Sequence, residues 1–215
     1  MENHSQGAFN FSNDWFSTTA KNHWDQLMPI LNPTKILEVG CYEGASVCYL
    51  IDKLKGGAPI EIHCVDVWDG GDEIQRGHRP PEEMAAVERR FDTNIAYAKS
   101  LVVNPVEVVK HKEPSDAALC RLLAEGKKNY FDFIYVDGSH HAPDVLFDAV
   151  AAFRLARVGG YIAFDDYLWR EDLAAGKDLI RCPKPAIDAF TTLYWNKLNI
   201  IPAALSQIYV QKIAE

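Results

Sequence analysis

The run KILEVG (35–40) ends in glycine, a second glycine stands at 44, and the apolar-periodic stretch ASVCYLIDKLK follows at once. A short apolar run, a Gly-x-x-x-Gly turn and a helical pattern predict the strand, turn and helix that open a βαβ unit. The order recurs. IEIHCVDVW (60–68), VEVVKHK (106–112), FDFIYVDG (131–138) and YIAFDDY (161–167) read as four further strands with helical stretches between them. Such alternation specifies a parallel sheet with helices on both faces. After a helix near 184–197 come NIIPAAL and SQIYVQKI, too close together for a helical crossover. They predict an antiparallel C-terminal hairpin at the sheet edge, completing a seven-stranded α/β sheet.

Ahead of this unit, Phe16, Ala20, Trp24, Leu27, Met28 and Leu31 repeat at helical spacing after Ser12-Asn13, which predicts an amphipathic helix over 15–31. The expected division is therefore an N-terminal helical extension, 1–34, and one domain, 35–215. Between the second and third strands, residues 69–83 are polar and broken by Gly and Pro, and the spacing leaves a lid and a solvated linker both open. Helical periodicity resumes at Met84, Val87, Phe91 and Ile95.

Composition removes several function classes. The 215 residues are 48% hydrophobic, enough to build a core that offsets ordering entropy, so the chain is not disordered. No apolar stretch approaches the roughly 20 residues a bilayer requires, and MENHSQGAFNF lacks the plan of a signal peptide, so a cytoplasmic protein without membrane contact is expected. With 22 Lys and Arg against 30 Asp and Glu, the net charge of −8 opposes nucleic-acid binding. Five cysteines without a Cys-x-x-Cys pair suggest reduced, buried thiols rather than disulfides or a zinc knuckle. Homo-oligomerisation stays open.

Gly40 and Gly44 let a ligand approach the backbone at a helix N-terminus. The spacing is neither the dinucleotide Gly-x-Gly-x-x-Gly nor a phosphate-binding loop. Asp66 ends the second strand 22 residues past Gly44, where an acid can take both hydroxyls of a ribose. Glu38, inside an apolar strand, needs a partner such as a ligand ammonium or a backbone amide. On these residues, Glu38-Val39-Gly40-Cys41-Tyr42-Glu43-Gly44 with Asp66 and the terminal hairpin, the chain resembles the class I S-adenosylmethionine (SAM)-dependent methyltransferases from about residue 35 to its end. That resemblance implies a Rossmann-like fold. It also implies that Glu38, Gly40, Tyr42 and Gly44 hold the methionine end of the cofactor, that Asp66 holds the ribose and that Ser115 meets the adenine.

Asp137 ends the fourth strand and Asp165-Asp166 the fifth, so all three carboxylates should converge beside the glycine turn. Crowded carboxylates repel, and a hard divalent cation, Mg²⁺ first, would resolve the conflict. Adjacent strand residues point to opposite faces, so Asp165 and Asp166 serve one ion only if the strand has ended, and Asp166 alternatively caps the next segment. The intervals of 28 and 29 residues from Asp137 resemble those of the metal-dependent O-methyltransferases, both the catechol and caffeoyl-coenzyme A branches and the macrolide-sugar branch. Where the catechol type has a lysine base, this chain has His140, and the Asp-Gly-x-His run resembles a broad bacterial methyltransferase family.

The resemblance implies methylation of a hydroxyl on a small molecule, a sugar or a phenol. In that reading Asp137, Asp165 and Asp166 hold the metal beside the acceptor, and Asp137 and His140 carry the catalysis, with His140 removing the proton. Two other readings stand beside it: a metal-independent SAM methyltransferase on O, N or C, and a catalytically silent SAM-binding module. Trp68, Tyr167 and Trp169 either wall an acceptor pocket or pack as core; His141 is a lesser candidate than His140 for base or ligand, and His4, His23, His63, His78 and His111 read as surface or satisfied core.

Overall fold

A computed structural model describes residues 8–70, 81–171, 176, 178–203 and 206–215. Helices are α1 (Trp15–Thr18), α2 (Lys21–Leu31), α3 (Ala45–Lys53), α4 (Pro81–Ser100), α5 (Ser115–Ala124), α6 (Ala142–Leu155) and α7 (Pro183–Leu193). Strands are β1 (Lys35–Val39), β2 (Ile60–Asp66), β3 (Val106–Lys112), β4 (Phe131–Val136), β5 (Ala156–Phe164), β6 (Leu198–Ile201) and β7 (Ile208–Lys212). They form one sheet in the order β3-β2-β1-β4-β5-β7-β6, with β1 to β5 parallel and β7 antiparallel to both β5 and β6. The expected Rossmann-like sheet and its terminal hairpin are both present, with β7 inserted beside β5 and β6 left at the edge.

Strand alternation divides the core into two layers. Ile36, Ile62, Phe133 and Tyr135 face α2, α3 and α4, while Leu37, Val39, Ile134, Val136 and Ile162 face α5, α6 and α7. Each fully buried aliphatic or aromatic side chain contributes about 1.5–3 kcal/mol, so these continuous apolar strands are stable only when covered on both sides.

The predicted helix over 15–31 is instead two. At the end of α1 the Ser17, Thr18 and Thr19 hydroxyls donate to the carbonyls of Asp14 and Trp15, a local bonding that competes with helix continuation. α2 packs on the sheet, its fully buried Trp24 meeting Phe133 and Tyr135 edge-on at 5.2 and 4.9 Å. β2 stops at Asp66, short of the expected 68, because Trp68 turns into the left-handed region at φ 48°. Most of the expected lid or linker, residues 71–80, lies outside the described residues, but Met84, Val87, Phe91 and Ile95 line the buried side of α4. The cysteines are free, and all but Cys120 are buried. Among the described residues no helix is long and apolar enough to cross a membrane.

Candidate active site

The glycine turn joins β1 to α3 at the carboxyl ends of the strands, where open parallel sheets bind ligands. At Gly40, φ is 85° and a Cβ would lie 1.9 Å from the carbonyl oxygen of Asp137, so only glycine lets the tips of β1 and β4 close together. At Gly44, φ 77°, a Cβ would press on Phe91 of α4 at 3.0 Å. The turn is braced from both sides. The Tyr42 carbonyl accepts from the Trp68 indole at 2.8 Å, and buried Glu43 accepts from the Ser12 amide at 2.6 Å, the Ser12 hydroxyl at 2.7 Å and Arg90.

Asp66 sits within this turn. One carboxylate oxygen accepts the amides of Cys41 (2.9 Å) and Tyr42 (2.8 Å), and the other accepts the Trp68 amide at 2.7 Å. A carboxylate has about four lone-pair directions, so three of them hold the loop together and one remains for a ligand hydroxyl. The sequence expectation assigned Asp66 to the ribose alone; the structure shows that it first shapes the turn. Burial raises its pKa, opposed by those three amides.

Glu38 is buried beneath the turn. The Ser46 hydroxyl, from the first turn of α3, donates to its Oε1, while Oε2 has no hydrogen-bond partner. Burial pushes the carboxyl up to about 8, with Asp66 and Asp165 adding to the rise and Ser46 opposing it. A buried acceptor left unpaired costs on the order of 1–3 kcal/mol, which an ammonium or amide donor would recover. Ser115, the first residue of α5, stands at the end of β3 beside Asp148 of α6, whose carboxyl burial raises to about 7.

The acidic residues gather as expected at the tips of β4 and β5. The Asp137 amide donates to the Val39 carbonyl at 2.8 Å and the Asp165 amide to the Val136 carbonyl at 3.0 Å. The strand has indeed ended, since Asp166 has φ 55°. Burial raises the Asp137 carboxyl well above its ordinary range, with Asp165, Asp166 and Glu38 adding repulsion, and Asp165 rises through burial and Asp166. Each acid nonetheless acquires its own neighbours. Asp165 accepts from the Tyr135 hydroxyl on one oxygen and from Gln207 (3.0 Å) and the Asp166 amide (2.9 Å) on the other. Asp166 Oδ2 lies 2.8 Å from His140 Nε2, and the His140 ring stacks on Trp169 with centroids 3.8 Å apart and 13° between planes.

This arrangement differs from the metal site that the sequence suggested. Among the described residues no group of three or more His, Cys, Asp or Glu is gathered so as to hold an ion. Asp165 is held by Tyr135 and Gln207 and Asp166 by His140, so as placed Asp137, Asp165 and Asp166 are not gathered around one ion. Hydrogen bonds from Tyr135, Gln207 and the Asp166 amide to Asp165 offset part of the crowding. Tyr135, Gln207 and Ser46 were not singled out in the sequence, and only Ser46 carried a signal, a hydroxyl two residues past Gly44 facing back to β1.

A narrow cleft of about 10 Å³ lies between Asp137, His140, Val145, Phe164, Asp165 and Pro183. A larger cavity, ≈260 Å³, opens elsewhere, among Phe9, Phe11, Phe16, Tyr49, Leu101 and Val102, and shares none of the strand-tip acids. Asp137, His140, Asp165 and Asp166 all line the smaller one.

A family profile described as "Methyltransferase domain" matches residues 37–167, from β1 through the glycine turn to the Asp165-Asp166 pair. A probable caffeoyl-CoA O-methyltransferase 3 from Dictyostelium discoideum is 26% identical over 164 residues, 74% of this chain and 55% of that protein, so the chain spans about half the length of this curated relative. Among solved structures, an O-methyltransferase from Bacillus cereus in complex with SAH aligns with TM-score 0.62 at 18% identity, covering 96% of this chain and 84% of that one. The O-methyltransferase TomG from Streptomyces achromogenes, involved in tomaymycin synthesis and solved with SAM, aligns with TM-score 0.60 at 15% identity over 91% and 80% of the two chains. At these identities the solved structures speak for the fold.

Proposed function

This chain belongs to the methyltransferase-domain family, and from that premise we propose that it transfers the methyl group of SAM to a hydroxyl oxygen of a small molecule. The carrying observation is the His140–Asp166 pair, placed beside a glycine turn that itself touches Asp137. The unpaired Oε2 of Glu38 is suited to the cofactor's ammonium, whose positive charge would favour the ionised carboxylate that burial alone disfavours. The remaining lone pair of Asp66 is left for the ribose.

The transfer itself needs alignment more than activation, because the sulfonium is already a leaving group: the acceptor oxygen must stand about 3–3.5 Å from the methyl carbon. The O–C bond forms as the S–C bond breaks, releasing S-adenosylhomocysteine. A hydroxyl is a poor nucleophile until it loses its proton. An ionised Asp166 accepts only, so neutral His140 carries its hydrogen on Nε2 and keeps the Nδ1 lone pair as the proton acceptor. Asp166 then stabilises the imidazolium, and Trp169 covers one ring face.

The relatives' acceptors differ from one another by name, so a phenol and a sugar hydroxyl are both tested. Purified protein is incubated with methyl-labelled SAM and panels of catechols, phenols and glycosides, and labelled ethers and S-adenosylhomocysteine are quantified with and without EDTA. Labelled ether that forms in EDTA and disappears in His140→Ala is expected. Loss of activity in EDTA that Mg²⁺ restores would show that Asp137, Asp165 and Asp166 regroup around an ion and would overturn the present assignment of Asp166. Label on nitrogen or carbon would overturn the choice of acceptor atom.

A further inference from the structure

Two histidines outside the methyl-transfer site lie buried on the α5 side of the sheet, at its β2–β3 edge. His63 and His111 are 3% and 7% exposed, and His63 Nδ1 lies 2.8 Å from His111 Nε2. The outer nitrogens face fixed charges: His63 Nε2 is 2.7 Å from Glu61 Oε1, and His111 Nδ1 is 2.8 Å from the Arg121 guanidinium of α5. Arginine only donates, so His111 Nδ1 must carry a lone pair; an ionised carboxylate only accepts, so His63 Nε2 must carry a hydrogen. The central bond is then satisfied in one way, with His111 Nε2–H donating to His63 Nδ1. Both rings are neutral, and every bond runs in one direction, Arg121 to His111 to His63 to Glu61.

We propose that this one-way chain is an acid-operated latch that holds α5 against the β2–β3 edge. A proton entering it has two places to go, and each breaks a bond. On His63 Nδ1 it would meet the hydrogen of His111; on His111 Nδ1 it would meet the Arg121 guanidinium. The surroundings set the charge at both ends. Glu61 is neutralised by Lys35 of β1 at 2.6 Å and by Lys127 at 3.4 Å, and also accepts from Tyr130, while Arg121 is held by Glu113 and by Glu125 at 2.9 Å. Glu107 of β3 adds a more distant negative charge toward His63. Burial lowers the pKa of both rings, His111 to about 4 with His63 and Arg121 contributing. A histidine freed from the chain titrates near 6.5, so acid favours the open form. The opened helix begins with Ser115, so release would reach the end of β3 that the proposed cofactor site borders.

The test uses the full chain. Nitrogen-15 histidine spectra at pH 7.5 should show both rings protonated on Nε2 alone. Deuterium exchange of peptides from α5, corrected for the intrinsic rate, should rise roughly 10- to 100-fold between pH 7.5 and 5.5 relative to α6, since each of the two histidines adds up to about tenfold over the pH unit below 6.5. Arg121→Met, a partly exposed position, should raise α5 exchange at pH 7.5 and flatten its acid response. A ring with hydrogen on Nδ1 at pH 7.5, or α5 exchange that follows α6 across the range, would overturn the proposal. None of these readouts depends on methyl transfer.

Discussion

The Trp24 indole donates a hydrogen bond to the Tyr209 hydroxyl at 2.8 Å across 185 residues of sequence. Tyr209 donates in turn to Gln207 Oε1, and Gln207 Nε2 holds Asp165 at 3.0 Å. The same Trp24 packs on Tyr135, whose hydroxyl holds the other oxygen of Asp165. A residue of the N-terminal helix therefore orients a carboxylate at the tip of β5 through two routes.

Gln207→Leu keeps the volume of this relay and removes its amide. The Tyr209 hydroxyl and Asp165 each lose a partner, and because Asp165 also holds the Asp166 amide at 2.9 Å, the loosened His140–Asp166 pair should lower kcat by about tenfold, the equivalent of about 1.4 kcal/mol. Steady-state kinetics with SAM near saturation, alongside a melting curve, separate this from simple unfolding.

Asp166→Asn leaves a side chain of the same shape beside His140 but removes the charge that balances an imidazolium. A loss in kcat of about 10²–10⁴ is expected, with SAM affinity by calorimetry unchanged within about twofold. An affinity loss matching the kcat loss would place Asp166 in cofactor binding instead.

Glu38→Gln replaces the acid whose Oε2 is unpaired beneath the turn. If that oxygen receives the cofactor ammonium, SAM affinity should fall at least about tenfold, while an ammonium-free probe such as adenosine should bind as before. Calorimetry with both ligands reads the difference.

Asp148 is buried with the Ser115 hydroxyl close to its carboxyl, and its pKa rises from 3.8 to about 7 through burial, with Ser115 opposing the rise and Asp144 and Asp116 adding to it. The unfolded chain releases this proton near pH 3.8 and the folded chain only near 7, so stability drains away as pH rises between these values and is lowest above pH 7. Asp148→Asn should therefore raise the melting temperature at pH 8 by several degrees, an effect on the order of 1–4 kcal/mol, and have little effect at pH 4. Equal shifts at both pH values would show that the gain is unrelated to titration.

The sheet was legible because its buried strands are continuous apolar runs closed by glycine or acid, as KILEVG and FDFIYVDG are. The positions of Glu38, Gly40, Gly44, Asp66, Asp137, Asp165 and Asp166 at the strand tips followed from that pattern. Partnership was not legible. Gln207 reaches Asp165 across 42 residues, and no spacing announces it. Nor does the distance from Gly44 to Asp66 reveal that the amides of Cys41 and Tyr42 turn toward the carboxylate. The split between α1 and α2 was hidden because the three hydroxyl residues at 17–19 interrupt a helix without altering its apolar period.

At Gly40 the first carbon of any side chain would fall inside the carbonyl of Asp137. Mutation cannot explore that corner, so relatives that diverge toward new acceptors must vary elsewhere, for example at Trp169, which stacks on the His140 ring. One frozen contact between two strands thus tells a protein engineer which part of the sequence to leave alone and which part to randomise.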